Sequence, residues 1–133
     1  MKCLIVEDDP VSIQVLKGLI SRYAIACDIA INGQEGIDLF LRAHADNRPY
    51  DLILMDIMMA GINGLQSVLT IREKETLMNI SFMQLVKIIM ITSLDDPRTV
   101  IKALYESDAN YYLVKPIRME NLEDALRKLK LTL

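Results

Sequence analysis

Five short apolar runs, each followed by a segment of helical length, constrain the fold of this chain most. The runs are residues 2–7, 26–31, 51–55, 87–92 and 111–114. They are continuous apolar stretches rather than alternations of apolar and polar residues, which is typical of strands buried on both faces. Strands of this kind alternating with helices predict an α/β protein with a parallel sheet covered on both faces. The chain has 133 residues and no linker-like tract, so we expect a single domain over residues 1–133.

The segments between the runs carry helix signals. Asp9 followed by Pro10 has the pattern of a helix N-cap and first helical residue, and Asp96-Pro97 repeats it. Apolar residues at helical spacing predict five helices. They run from Pro10 to about Tyr23, from Gly33 to about Ala45, from Gly64 to about Glu75, from Pro97 through Val100 and Leu104, and over about 119–131. Residues 76–85 are either a longer helix end or a loop insertion.

Composition argues against several classes of function for this chain. Hydrophobic residues make up 52% of the chain and the net charge is -3, which argues against nonspecific nucleic-acid binding. We find no apolar stretch of the roughly 20 residues that a membrane span needs. No signal peptide is evident, so we expect a cytoplasmic protein. Cys3 and Cys27 could pair, but free thiols are the favoured interpretation there. His44 is the only histidine, which gives a zinc site little support.

Polar residues end four of the five runs, and strands of a parallel sheet end at the same edge. These residues are Glu7, Asp8, Asp56, Thr92 and Lys115. Taken alone, Asp56 could simply cap the following turn. Several carboxylates close together repel each other unless a cation neutralises them, and oxygen ligands suit Mg²⁺. A lysine and a hydroxyl beside such a metal would hold an anionic group, and phosphoryl fits best.

Four motifs in order make the chain resemble the receiver domain of two-component response regulators. They are LIVEDDP at residues 4–10, LILMDIMMAGING at 52–64, IMITS at 89–93 and YLVKP at 112–116. The resemblance covers nearly the whole chain. It implies a flavodoxin-like, doubly wound five-stranded parallel sheet with strand order 2-1-3-4-5 and helices on both faces.

The resemblance also implies a metal site. Asp56 would be the phosphoacceptor, and Asp8 and Asp56 would bind Mg²⁺ through their side chains. The backbone carbonyl of Met58 would be a further ligand. Glu7 stands where the family more often has Asp, and its longer side chain would act through a metal-bound water.

The remaining roles that the resemblance implies concern the phosphoryl group and the switch. Thr92 and Lys115 would each bind a phosphoryl oxygen, and the Lys115–Pro116 peptide bond would be cis. Tyr112 matches the aromatic residue that turns inward when Thr92 moves toward the phosphoryl group.

Some positions depart from the family pattern. Ala60 and Asn63 replace the usual proline and Asp at loop positions that supply no site chemistry. Ile117 replaces the common aromatic residue after Lys115-Pro116. The interval from Asp56 to Thr92 is longer than the family norm. The apolar residues of the 76–85 insertion either pack on the body or form a partner surface, and packing is the favoured interpretation. They are Leu77, Met78, Ile80, Phe82, Met83 and Leu85.

The expected function is that of a stand-alone response regulator and not an enzyme. A sensor histidine kinase or phosphotransfer protein would phosphorylate it, and the surface over roughly Asp96 to Lys130 would then change and bind an unknown downstream protein. We expect no nucleic-acid or membrane partner, and a monomer or a phosphorylation-dependent dimer.

Several alternatives stay open. They are a phosphorelay intermediate or phosphate sink, a receiver cut from a longer regulator, and an unphosphorylated scaffold. A phosphatase with an aspartyl nucleophile would need an acid where Met58 stands. Met58 and Leu94 cannot orient water by hydrogen bonding, which predicts slow self-hydrolysis of an aspartyl phosphate.

Overall fold

The computed structural model describes residues 1–24, 26–59, 61, 63–93 and 97–131, with the side chains of residues 97, 99, 100, 103 and 104 left out. The strands are β1 (Lys2–Val6), β2 (Ala26–Ala30), β3 (Leu52–Asp56), β4 (Lys87–Thr92) and β5 (Tyr111–Val114). The helices are α1 (Pro10–Ile20), α2 (Gly33–Ala45), α3 (Gly64–Leu77), α4 (Pro97–Ser107) and α5 (Met119–Lys128). Some of the predictions above fall outside the described residues. They concern Ala60, Leu94, the helix start at Asp95-Asp96, and the side chains of Val100 and Leu104.

The five strands form one parallel sheet in the order β2-β1-β3-β4-β5, which confirms the predicted topology. Every residue of β3 is buried, as a central strand with helices on both faces requires. Register fixes how far each strand reaches: Asp56 pairs with Ile91, and Thr92 pairs with Val114. The carboxyl ends of neighbouring strands therefore finish within one residue of each other.

Helices cover the sheet on two sides. On one face, Leu16 and Ile20 of α1 pack with Leu122 and Leu126 of α5. On the other face, α2 and α3 contribute residues such as Phe40 and Ile71. α4 contacts α3. Among the described residues, no helix has both the length and the apolar character that a membrane crossing requires.

Several element ends differ from the prediction. β1 ends at Val6 rather than at residue 7, and β2 ends at Ala30 rather than at residue 31. α1 ends at Ile20 rather than near Tyr23, because the Ser21 hydroxyl donates to the Gly18 carbonyl 2.7 Å away and closes the last turn. α5 ends at Lys128 rather than at 131, because Lys130 takes a left-handed conformation with φ of 60°. Asp56 is the last residue of β3 rather than the first residue after it.

The insertion between α3 and β4 is part helix and part turn. α3 continues to Leu77, and a single 3-10 turn covers Phe82–Gln84. The favoured interpretation that its apolar residues pack on the body is wrong for its tip, since Phe82 is 84% exposed and Met83 is 88% exposed. Leu77 and Met78 are also exposed. A short turn sets the backbone here, and it leaves Phe82 and Met83 largely exposed.

The base of this insertion is held by a buried carboxylate. Glu75 accepts a hydrogen bond from the Arg72 guanidinium at 2.7 Å and another from the Val86 backbone N–H at 2.8 Å. Arg72 also donates to Asn110 Oδ1 at 2.8 Å, and the same oxygen accepts from the Ile88 N–H. The network therefore joins α3, the start of β4 and the turn before β5.

Replacing Glu75 with Gln is expected to lower the free energy of unfolding by roughly 2–4 kcal/mol, because Arg72 would lose the charge that compensates it. Urea denaturation monitored by circular dichroism measures this change.

Asp124→Asn is the matched control. Asp124 also pairs with an arginine, Arg127, at 3.1 Å, but both side chains are exposed. Stability should hardly change in this variant, because solvent screens exposed pairs. Equal losses in the two variants would show that burial does not determine the strength of the Glu75 pair.

Candidate functional site

The carboxyl edge of the sheet collects the side chains that the sequence singled out. Glu7 follows β1, Asp56 ends β3, Thr92 ends β4 and Lys115 follows β5. Glu7, Asp56 and Thr92 are buried, whereas Lys115 is half-buried. Buried polar groups at strand ends of an open parallel sheet mark the edge where ligands bind in such folds.

Lys115 crosses this edge to reach two carboxylates. Its ammonium nitrogen lies 2.7 Å from Glu7 Oε1 and 3.7 Å from Asp56 Oδ2. It also donates to Ser12 Oγ in the first turn of α1, at 3.5 Å. One cation therefore serves two buried acids, which leaves the pocket with excess negative charge.

Asp8 adds a third carboxylate to the pocket, and its side chain is exposed. Ligand oxygens of Glu7, Asp8 and Asp56 all lie within 4.8 Å of one another. Hard oxygen donors that close suit a small divalent cation that retains some of its waters. The residues present therefore fit a Mg²⁺ ion.

The charge excess is visible in the pKa values. Burial, a hydrogen bond with Glu7 and the negative charge of Glu7 raise the pKa of Asp56 to about 7, although Lys115 acts in the opposite direction. Burial would also raise the pKa of Glu7, but hydrogen bonds from Asp56 and Lys115 outweigh it and hold that pKa below its usual range. The negative charge of Glu7 therefore makes ionisation of Asp56 less favourable than that of an ordinary carboxyl group.

The segment after β3 contacts both the side chain and the backbone of Asp56. The Met58 backbone N–H donates to Asp56 Oδ1 at 3.2 Å. The loop turns at Gly61, with φ of 80°, and Asn63 caps α3 by accepting from the Gln66 N–H. A Cβ at Gly64 would overlap the carbonyl oxygen of Asp56, so only glycine lets α3 start this close to the strand.

The residues predicted for the switch lie on the neighbouring strands. The Thr92 hydroxyl donates to the Ser93 carbonyl at 3.0 Å. Tyr112 is 42% exposed and stacks on Tyr111, with ring centroids 6.5 Å apart. The Lys115–Pro116 bond is cis, as expected.

Sequence reasoning missed two contributors. Ser12 contacts Lys115 from α1, and the only signal for it was its place in the first turn after the Asp9 cap. That cap is confirmed by the Asp9 carboxylate accepting from the Ser12 N–H at 2.9 Å. The second is Gly64, whose close approach to the Asp56 backbone cannot be inferred from a glycine in a loop.

The family match agrees with this geometry. Residues 3–127 match the response regulator receiver domain family. The chain belongs to this family. It is therefore a receiver of two-component signalling with a phosphoacceptor role.

Curated relatives are receiver-containing proteins of greater length. The chain is 31% identical over 125 residues to the autoinducer 2 sensor kinase/phosphatase LuxQ of Vibrio parahaemolyticus, covering 94% of the chain and 13% of that protein. It is 29% identical to the probable C4-dicarboxylate response regulator DctR of Bacillus subtilis, covering 97% of the chain and 52% of the relative. The chain thus spans about half or less of the length of these relatives.

Solved structures share the fold. The chemotaxis protein CheY4 of Vibrio cholerae has a TM-score of 0.75 at 23% identity, and the alignment covers 96% of both chains. The receiver domain of the Arabidopsis thaliana histidine kinase CKI1, complexed with Mg²⁺, has a TM-score of 0.82 at 19% identity, over 96% of this chain and 90% of that one.

Asp56→Asn is expected to stabilise the receiver in EDTA, and more so as pH rises. The unfolded Asp56 ionises near its ordinary pKa of 3.8, whereas the folded one ionises near 7. Between these values the unfolded state binds fewer protons, so ionisation of Asp56 lowers stability as pH increases. The variant's advantage in unfolding free energy should grow by on the order of 3 kcal/mol between pH 4 and pH 8.

Asp46→Asn, an exposed carboxylate at the end of α2, is the control and should show no such growth. Thermal melts from pH 4 to 8 measure both variants. An Asp56→Asn advantage independent of pH would mean that Asp56 is ionised at an ordinary pKa.

Proposed function

We propose that Asp56 accepts a phosphoryl group from the phosphohistidine of a sensor kinase or phosphotransfer protein. One Asp56 oxygen attacks phosphorus, the new P–O bond forms, and the P–N bond to the donor histidine breaks. The observation that carries this proposal is the buried position of Asp56, with Glu7 and Lys115 beside it and Asp8 nearby. The chain then acts as a switch and assists only its own phosphorylation and dephosphorylation.

Glu7, Asp8 and Asp56 would hold Mg²⁺, with the Met58 backbone carbonyl as a further ligand. When bound, the ion supplies the positive charge that neutralises the transferring phosphoryl oxygens. Three carboxylate oxygens within 4.8 Å of one another support this site, as does the raised pKa of Asp56, which shows that negative charge accumulates there. Glu7, already bonded to Lys115, is the ligand that would act through water.

Lys115 would exchange partners on phosphorylation. Its nitrogen lies 3.7 Å from Asp56 Oδ2, so a phosphoryl oxygen on Asp56 would come within reach of it. The Thr92 hydroxyl, now bonded to the Ser93 carbonyl, would rotate to another phosphoryl oxygen. Tyr112 would follow Thr92 inward and change the surface of α4, β5 and α5. Ile101 and Tyr105, both exposed, support a protein-binding role for that surface.

The donor protein would approach beside α1. Val11 and Val15 are exposed, and with Lys115 and Ile117 they line a shallow cavity of about 360 Å³ next to the acidic pocket. Apolar surface at the entrance of a charged pocket fits a protein donor better than a small one.

Incubation with acetyl phosphate and Mg²⁺ is expected to add one phosphoryl group to the chain, measured as intact mass. Asp56→Asn and EDTA should each abolish the gain. Lys115→Met should reduce it strongly, because one of the two neutralising cations is lost.

Lys128→Met is the matched control for Lys115, since Lys128 pairs with the exposed Asp124 far from the pocket. It should retain the full gain. Failure of the parent chain to gain mass, with phosphoramidate as well, would favour the scaffold alternative.

The aspartyl phosphate is expected to decay slowly, with a half-life of minutes or longer. Met58 is 70% exposed and has no group that could orient an attacking water. Met58→Asn should shorten the half-life several-fold, whereas Met58→Leu should not. Mass spectra taken after removal of acetyl phosphate measure the decay, and a half-life of seconds in the parent would contradict the argument.

A relay role is the second candidate. LuxQ, a sensor kinase/phosphatase, contains a matching segment, and so does DctR, a response regulator. Because the chain is similar to proteins of both kinds, passing the group to another histidine and signalling directly are two uses that the Asp56 site would serve. Transfer from phosphorylated chain to an isolated phosphotransfer domain distinguishes them.

A further inference from the structure

Cys3 and Cys27 form a pair that the phosphoacceptor site does not use. They are register partners on the adjacent parallel strands β1 and β2. Both side chains belong to the cluster on the α1 and α5 face of the sheet, so they point the same way. Neighbouring strands lie about 4.8 Å apart, which is within the range of Cα separations that a disulfide spans.

The two thiols differ in accessibility. Cys3 is fully buried, whereas Cys27 is half-buried on the edge strand β2. A reagent that enters from solvent therefore meets Cys27 first, with Cys3 directly behind it. This is the arrangement of an attacking thiol and a resolving thiol.

Hydrogen bonding also favours Cys27 as the attacking thiol and Cys3 as the resolving thiol. A hydrogen bond from Cys3 holds the pKa of Cys27 below its usual range; burial opposes this effect, and the positive charge of Lys17 adds to it. The same bond, together with burial, raises the pKa of Cys3 well above its usual range. The Cys27 thiol can donate to the Asp28 carbonyl, at a long 4.0 Å.

We propose that Cys27 and Cys3 form a peroxide-reactive site that closes to a reversible disulfide between β1 and β2. Two observations carry the inference. The two residues are register partners, and Cys27 is accessible to solvent whereas Cys3 is not. The ligand class is a small hydroperoxide, with hydrogen peroxide the simplest member.

The disulfide forms in two steps, each of which releases one water. The Cys27 thiolate attacks one peroxide oxygen, the O–O bond breaks, and the leaving hydroxide takes a proton to become water. Cys27 is thereby oxidised to a sulfenic acid while the peroxide is reduced. The Cys3 sulfur then attacks the Cys27 sulfur, the S–S bond forms, and the S–OH group leaves as a second water with the proton that Cys3 loses.

The disulfide would leave the acceptor pocket in place. Cys3 lies near the start of β1, whereas Glu7 follows its end, so the crosslink and the acids are at opposite ends of the strand. Oxidation therefore constitutes a second input to the chain, separate from phosphorylation.

The test treats the folded chain with hydrogen peroxide, removes the peroxide, and alkylates with N-ethylmaleimide in denaturant. Counting alkyl groups by intact mass separates thiol loss from oxidation of exposed methionines such as Met83. We expect both alkylation sites to be lost together and both to return after dithiothreitol.

Single variants identify the steps. Cys3→Ala should stop at the sulfenic acid and gain a dimedone adduct on Cys27, which the parent should not retain. Cys27→Ser should keep Cys3 fully alkylatable, because that thiol is buried.

Three outcomes would overturn the proposal. They are loss of the Cys3 thiol in Cys27→Ser, a persistent dimedone adduct in the parent, and two intact thiols in the parent at peroxide doses that oxidise Cys3→Ala. Phosphorylation by acetyl phosphate, measured on the oxidised chain, should match that of the reduced chain.

Discussion

Glu7 and Asp56 are held against each other in a buried pocket with one lysine between them, and the rest of the edge is arranged around that charge imbalance. Lys115 satisfies Glu7 at 2.7 Å and reaches Asp56 only at 3.7 Å. Burial and the neighbouring charge of Glu7 therefore raise the pKa of Asp56 to about 7. A bound cation lowers the free-energy cost of ionising Asp56. The charge imbalance that lowers the stability of the free protein therefore favours metal binding.

Packing of the central strand holds Asp56 beside Glu7 despite the excess of negative charge. β3 is buried along its whole length, and its apolar residues pack in both clusters of the core. The carbonyl of Asp56 is fixed from the other side by α3, which can start there only because residue 64 is glycine. The backbone of Asp56 is consequently held beside Glu7, and proton uptake or cation binding relieves the repulsion without moving the strand.

The sequence predicted what depends on periodicity and strand order. Continuous apolar runs identified the five strands, and parallel strands place their carboxyl ends together, so Glu7, Asp56, Thr92 and Lys115 could be grouped before any coordinates. What depends on tertiary approach was not predictable. Examples are the contact between Ser12 and Lys115 and the overlap that excludes a side chain at Gly64. The bonds from Val86 to Glu75 and from Arg72 to Asn110 likewise join segments that no local pattern relates. The burial of the insertion was predicted wrongly because apolar composition does not reveal whether a surface lies within reach.

That insertion is firmly anchored although its tip is exposed. A single carboxylate, Glu75, binds Arg72 on α3 and the Val86 N–H at the start of β4, so both ends of the insertion are tied to one buried point. Phe82 and Met83 are therefore exposed although both ends of their segment are fixed to the body of the protein. The tip lies at the amino end of β4, whereas Asp56 lies at the carboxyl end of β3, and strands of this length separate the two by about 15 Å or more. The insertion tip and the phosphoacceptor edge therefore lie at opposite ends of the sheet, so the exposed apolar side chains of the tip are not part of the acceptor pocket.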